Sequence, residues 1–200
     1  MINKTKEKLI LIGMPGSGKT TIGKLLAKEY NCSFCDMDDY IIQISQKSIA
    51  ELFSEGEDIF RNYETQACRE LSISDKTVIS TGGGVIKKDV NMEILKETGI
   101  IIFIDRPIQK ILEDININSR PLLKNGKDRL YNLYNERINL YKKFSDIEIL
   151  NDKSLNNAVY NITNAVSENF KFDFKKNNLG GSKNNEYCYC RTRSYRRLFC

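Results

Sequence analysis

Nine residues, GMPGSGKTT from Gly13 to Thr21, satisfy the pattern G-x-x-x-x-G-K-[ST]. The backbone amides of such a loop, feeding a helix N-terminus, point at phosphate oxygens, so Gly16, Ser17, Gly18, Lys19, Thr20 and Thr21 read as a polyphosphate cradle. Lys19 would reach the terminal phosphates, and Thr20 would offer its hydroxyl to Mg²⁺. The run LILI precedes the motif and an amphipathic segment follows it. A glycine turn of no consequence explains neither the lysine and threonine in register nor that context.

A nucleoside triphosphate needs an acceptor, and the carboxylates and arginines suggest where one could sit. In DMDDY, Asp36 and Asp38 stand two apart; extended backbone would place both on one side, one for the metal and one for an acceptor hydroxyl. Arg61 in FRNYE, Arg120 in SRPLL and Arg137 in ERINLY supply cations for a moving phosphoryl group or a bidentate clamp for a carboxylate. Glu64 could pair with Arg61 across one helical turn. Arg120 lies in NINSRPLLKNGKD, where Pro121 and Gly126 break any helical pattern; a loop there, about 114–128, reads as a lid between two helices.

VISTGGG, residues 78–84, ends in three successive glycines, Gly82, Gly83 and Gly84. Ordering them is costly in chain entropy, so bare backbone must serve a purpose. The phosphate cradle is already supplied by Gly13–Thr20, and GGG lacks the G-x-G-x-x-G dinucleotide spacing. A floor on which the acceptor lies remains, and a methyl at Gly83 is then expected to raise the acceptor requirement more than the ATP requirement. A competing metal site is IIIFID, which resembles a Walker B strand; its Asp105 would displace Asp36 from that role.

The chain has 200 residues, 40% of them hydrophobic, which suits one domain with a proper core. Histidine is absent, which excludes Ser-His-Asp triads and most zinc sites. Cys32 and Cys35 have metal or redox spacing, but no second CxxC follows, and two half-buried strand cysteines are the better reading. The net charge is +5, yet residues 171–200 carry +6 and residues 1–170 carry −1. Nucleic-acid binding would therefore rest on the tail alone, which reads as a disordered, cysteine-containing extension of a domain spanning 1–170. No apolar run is long enough for a membrane span and MINKTKEK has no apolar signal region, so the cytoplasm is expected.

Apolar runs at Leu9–Ile12, Ser33–Cys35, Val78–Ser80, Ile100–Ile104 and Ile147–Leu150 read as buried strands. Helical periodicity at Thr20–Tyr30, Ile59–Leu71 and Leu130–Tyr141 alternates with them. That order predicts an α/β fold with a parallel sheet covered on both faces and a site at the carboxyl ends of its strands.

GMPGSGKTT, FCDMDDYI, FRNYE, STGGG, RPLL and ERINLY, in this order and spacing, resemble the shikimate kinases over about residues 7–165. The resemblance implies a three-layer P-loop fold with a five-stranded parallel sheet, of the nucleoside monophosphate kinase type. It implies ATP with one Mg²⁺, phosphorylation of the 3-hydroxyl of shikimate on the route to chorismate and the aromatic amino acids, and a monomer. It places Gly16 to Thr21 on ATP, Thr20 and Asp36 on the metal, and Asp38 on the shikimate hydroxyls nearest the role of base. Arg61 and Arg137 would grip the shikimate carboxylate, Gly82–Gly84 would contact a substrate hydroxyl, and Arg120 would reach ATP. Lys153 stands near the late nucleotide-contacting position. Glu113 occupies a position where the family often has an arginine against the adenine. A nucleotide kinase, sharing the GxPGSGK opening, is the alternative; a GTP-dependent switch would need N-K-x-D, which is missing.

Overall fold

The computed structural model describes residues 6–114 and 126–170. Five strands form one parallel sheet: β1 (Lys8–Ile12), β2 (Ser33–Asp36), β3 (Thr77–Ser80), β4 (Gly99–Asp105) and β5 (Ile147–Leu150), in the order β2-β3-β1-β4-β5. Among the described residues the helices are α1 (Lys19–Glu29), α2 (Met37–Ser45), α3 (Ile49–Glu55), α4 (Glu57–Ser72), α5 (Asp89–Thr98), α6 (Ile108–Asp114), α7 (Gly126–Phe144) and α8 (Leu155–Asn169), with a 3-10 turn at Val85–Lys87.

Both faces of the central strands β1, β3 and β4 are buried, which is why these read as nearly continuous apolar runs, whereas the edge strand β5 alternates buried and exposed residues. Ile10 and Ile12 of β1, Ile79 of β3, and Ile101 and Phe103 of β4 pack against residues of α2–α7. Leu9, Leu11, Val78, Ile100, Ile102 and Ile104 point the other way, onto α1 and α8. The result is the expected three-layer α/β arrangement. All five strand expectations hold within two residues at either end; the helices expected at Ile59–Leu71 and Leu130–Tyr141 sit inside α4 and α7, and Thr20–Tyr30 matches α1 except for Tyr30, its C-cap. Cys35 is buried in β2, and Cys32, half-buried, lies just ahead of that strand; neither is in a disulfide among the described residues.

Strand β1 has two neighbours, β3 and β4, so the ends of STGGG and IIIFID both flank the phosphate loop. Adjacency in the sheet therefore does not separate Asp36 from Asp105, and side-chain contacts must. Among the described residues, no helix is long and apolar enough to cross a membrane. The expected Arg120, residues 115–125 of the expected lid and the whole 171–200 tail fall outside the described residues; the ends of the lid expectation, 114 and 126–128, are helical instead, the last residue of α6 and the first turn of α7.

Candidate active site

The loop after β1 is shaped by backbone that side chains avoid. Gly16 and Gly18 have φ of 79° and 93°, and Gly18 caps the N-terminus of α1. Lys19 is buried in the loop and donates to the carbonyls of Gly13 and Met14, each at 2.9 Å. Burial lowers its ammonium to about 8, against the opposing pull of Asp38 and Asp36. The buried Asn151, after β5, ties the loop down from the other side by donating to the Ser17 carbonyl at 2.9 Å.

Thr20, in the first turn of α1, donates its hydroxyl to Asp36 at 2.8 Å and lies 3.3 Å from the Ser80 hydroxyl. Asp36 is the last residue of β2 and the N-cap of α2, its other oxygen accepting from the Asp38 N–H at 3.1 Å. The two aspartates therefore do not share a face of extended chain, as their spacing had implied. Asp36 ends a strand, whereas Asp38 rides the first turn of α2 because the cap on Asp36 starts the helix between them. Burial, then the Asp36 charge, pushes the Asp38 carboxyl above the ordinary range, while Lys19 and Arg61 hold it back.

The glycine run follows β3 into the space between these groups. A Cβ at Gly82 would lie 2.9 Å from Asp38 Oδ1, one at Gly84 would lie 2.7 Å from both terminal nitrogens of Arg61, and one at Gly83 would lie 2.9 Å from Pro15 in the phosphate loop. The run is thus the partition between cradle and acceptor space, closer than any side chain would allow. Arg61, on α4, is buried and held by Glu64 at 2.9 Å and Glu57 at 3.0 Å. Burial pushes the Glu64 carboxyl up despite that partner. Arg137, on α7, donates to the Gly83 carbonyl at 3.2 Å, and its buried Nε has no hydrogen-bond partner among the described residues.

Beside the cradle opens a cleft of about 720 Å³ lined by Gly16, Gly18, Lys19, Thr20, Thr21, Arg106, Ile111, Asp114, Lys153, Ser154 and Leu155. Its dimensions and cationic lining suit a nucleotide whose phosphates lie on the loop. Hard oxygens at Thr20 and Asp36, with Ser80 beside them, fit Mg²⁺, which takes few protein ligands and fills its shell with phosphate oxygens and water.

The comparisons with known proteins agree with this geometry. The shikimate kinase family model matches residues 15–167. The chain belongs to the shikimate kinase family. A shikimate kinase of Clostridium botulinum strain Alaska E43 is 49% identical over 164 residues, covering 82% of this chain and 99% of that protein. One from Clostridium beijerinckii is 46% identical over 168 residues, covering 84% and 99%. Among solved structures, the shikimate kinase from Acinetobacter baumannii in complex with shikimate superposes with a TM-score of 0.75 at 31% identity, covering 84% of this chain and 97% of that one.

Within this family member, the structure brings Gly16–Thr21, Asp36, Asp38, Arg61, Gly82–Gly84 and Arg137 to one end of the sheet, with Lys153 on the rim of the cleft. Burial raises the Asp105 carboxyl, and the charges acting on it come from Lys142 on α7 and Glu148 on β5, whereas Thr20 is bonded to Asp36. Glu113 is exposed on α6. Arg106, paired with Asp114 at 2.5 Å, joins Lys19 and Lys153 in lining the cleft. The sequence assigned no role to Arg106 or Tyr141, and it placed the late nucleotide-contacting position near Asn151–Lys153 without giving Asn151 its part in holding the loop. Arg106 lay unnoticed in the turn after an apolar strand, and Tyr141 looked like one more residue on the apolar face of α7. Only their positions against the cleft, the glycine run and the loop distinguish them.

Proposed function

We propose that this chain transfers the γ-phosphoryl group of ATP to the 3-hydroxyl of shikimate, giving shikimate 3-phosphate. The observation that carries the reading is the glycine partition, with the phosphate loop on one side and Asp38, Arg61 and Arg137 around the other. Two arginines and a carboxylate suit a small hydroxy acid, and family membership gives that acid its identity.

In this reading Gly16–Thr21 hold the phosphates, with the nucleoside in the cleft beside Lys153 and Arg106. Lys19 leaves its loop carbonyls to neutralise charge on the transferring group. Thr20 and Asp36 would hold one Mg²⁺, which would supply positive charge against the negative charge of the phosphates. Arg61 and Arg137 grip the acceptor carboxylate bidentately, and Gly82–Gly84 let the ring lie close to the loop. Asp38 orients the acceptor hydroxyl and takes its proton late in a direct in-line transfer. Arg120, carried by the lid, would add positive charge as the site closes and excludes water. The proposed enzyme acts as a cytoplasmic monomer.

An ADP-release assay tests this reading. Release should require both shikimate and Mg²⁺, with AMP inert as acceptor; release driven by AMP and not by shikimate would reject it.

A further inference from the structure

Tyr141 has no exposed surface, although its hydroxyl is a polar group that must find a partner. Its ring stacks on Phe103 of β4, centroids 5.1 Å apart and planes 14° from parallel, so the hydroxyl is held in one place. There it donates to the carbonyl of Gly83 at 2.6 Å. The same carbonyl accepts the longer bond from Arg137 at 3.2 Å. One peptide group of the partition is thus clamped from α7 by two side chains a single helical turn apart.

We propose that Tyr141 is a positioning residue for the acceptor, fixing the Gly83–Gly84 peptide and keeping Arg137 free to receive the acceptor's carboxylate. The first effect follows from peptide planarity: a trans peptide points its N–H opposite to its C=O, so anchoring the Gly83 carbonyl on α7 turns the Gly84 N–H away from α7. Gly84 is also the residue against which Arg61 rests, so the peptide sets the separation of the two arginines. The second effect is competition for the carbonyl. Because Tyr141 satisfies it at short range, Arg137 needs only a long bond there, and among the described residues its buried Nε makes no hydrogen bond, only a loose 4.0 Å ion pair with the half-exposed Glu136 carboxylate. Without the hydroxyl, the guanidinium is the remaining donor and closes onto the carbonyl, away from the ligand. Burial raises the Tyr141 hydroxyl to about 12, which keeps it a donor throughout the working range of pH.

This inference rests on the reading of shikimate as acceptor, and the test separates the two. Calorimetry would measure shikimate and ADP binding to the unaltered protein and to Tyr141→Phe, which keeps the ring stack and leaves the Gly83 carbonyl bonded to Arg137. The expected result is a shikimate Kd raised about three- to tenfold, the worth of one such hydrogen bond, with the ADP Kd within twofold. Unaltered shikimate binding, or equal loss of both ligands, would overturn the positioning role while leaving the acceptor assignment intact. If the unaltered protein fails to bind shikimate, the acceptor assignment falls, and this inference with it. A second measurement needs no variant: the ¹⁵N-labelled Gly84 amide should shift on adding shikimate to the unaltered protein and not on adding ADP. An unmoved Gly84 signal in protein that binds shikimate would also overturn it.

Discussion

Asp36 has both oxygens engaged, one accepting from Thr20 and one from the Asp38 N–H, whereas Asp38 faces Gly82 in a partly desolvated space. Desolvation is what suits the second carboxylate to receive a proton, because it raises the pKa of Asp38. Replacing Asp38 by Asn should lower turnover about 100-fold or more, within the range for loss of a general base, with ADP binding by calorimetry unchanged; normal turnover would remove Asp38 from the mechanism. The base must be ionised, so turnover should fall as pH falls through the raised pKa, at a higher pH than an ordinary carboxylate would give. Lys19 sets the opposite limb. Its ammonium, at about 8, is charged below that pH and neutral above it, so kcat/KM for ATP should decline as pH rises through about 8, while bound phosphates move the corresponding limb of kcat higher. A flat kcat/KM profile up to about pH 9.5 would show that Lys19 keeps its proton in the free enzyme. The residue types at these positions were legible from the sequence. The difference between the two aspartates was not, because it arises from the helix that begins between them.

At the scale of elements, the end of β3 decides which ligand each glycine serves. The sequence singled out Gly83 as acceptor floor, yet its missing Cβ faces Pro15, and Gly84 is the one that faces Arg61. Gly84→Ala should therefore raise the shikimate KM about tenfold, given the usual cost of forcing a methyl into filled space, with the ATP KM within twofold. Gly83→Ala should raise both, since its methyl presses on the phosphate loop. Steady-state kinetics on the pair checks this, and an effect of Gly84→Ala confined to ATP would reverse the assignment. The main strands were legible because both faces are buried, leaving a continuous apolar signal in β1 and β4. The short helices α2 and α3 were not: each is under ten residues long, and what starts them is a local cap, from Asp36 and from the Ser48–Glu51 capping box.

At the scale of the whole molecule, one parallel sheet gathers residues from 13 to 155 at its carboxyl edge, and the family match ends at residue 167. Residues 171–200 carry a charge of +6, and no catalytic role is assigned to them. A chain ending at residue 170 is expected to keep kcat and both KM values within twofold; a loss of activity beyond tenfold would place part of the machinery in the last thirty residues. Sequence alone determined the phosphate loop, the alternation of strands and helices, and the family. Those are properties of contiguous residues, set by backbone conformation and by the periodicity of apolar side chains. Tertiary structure decided what contiguity cannot encode. It assigned each glycine its own neighbour, placed Arg106 beside the phosphate loop in the cleft, and brought Tyr141 of α7 onto the carbonyl of Gly83. Each depends on distances between groups far apart in the chain, and only packing around the shared sheet fixes those distances.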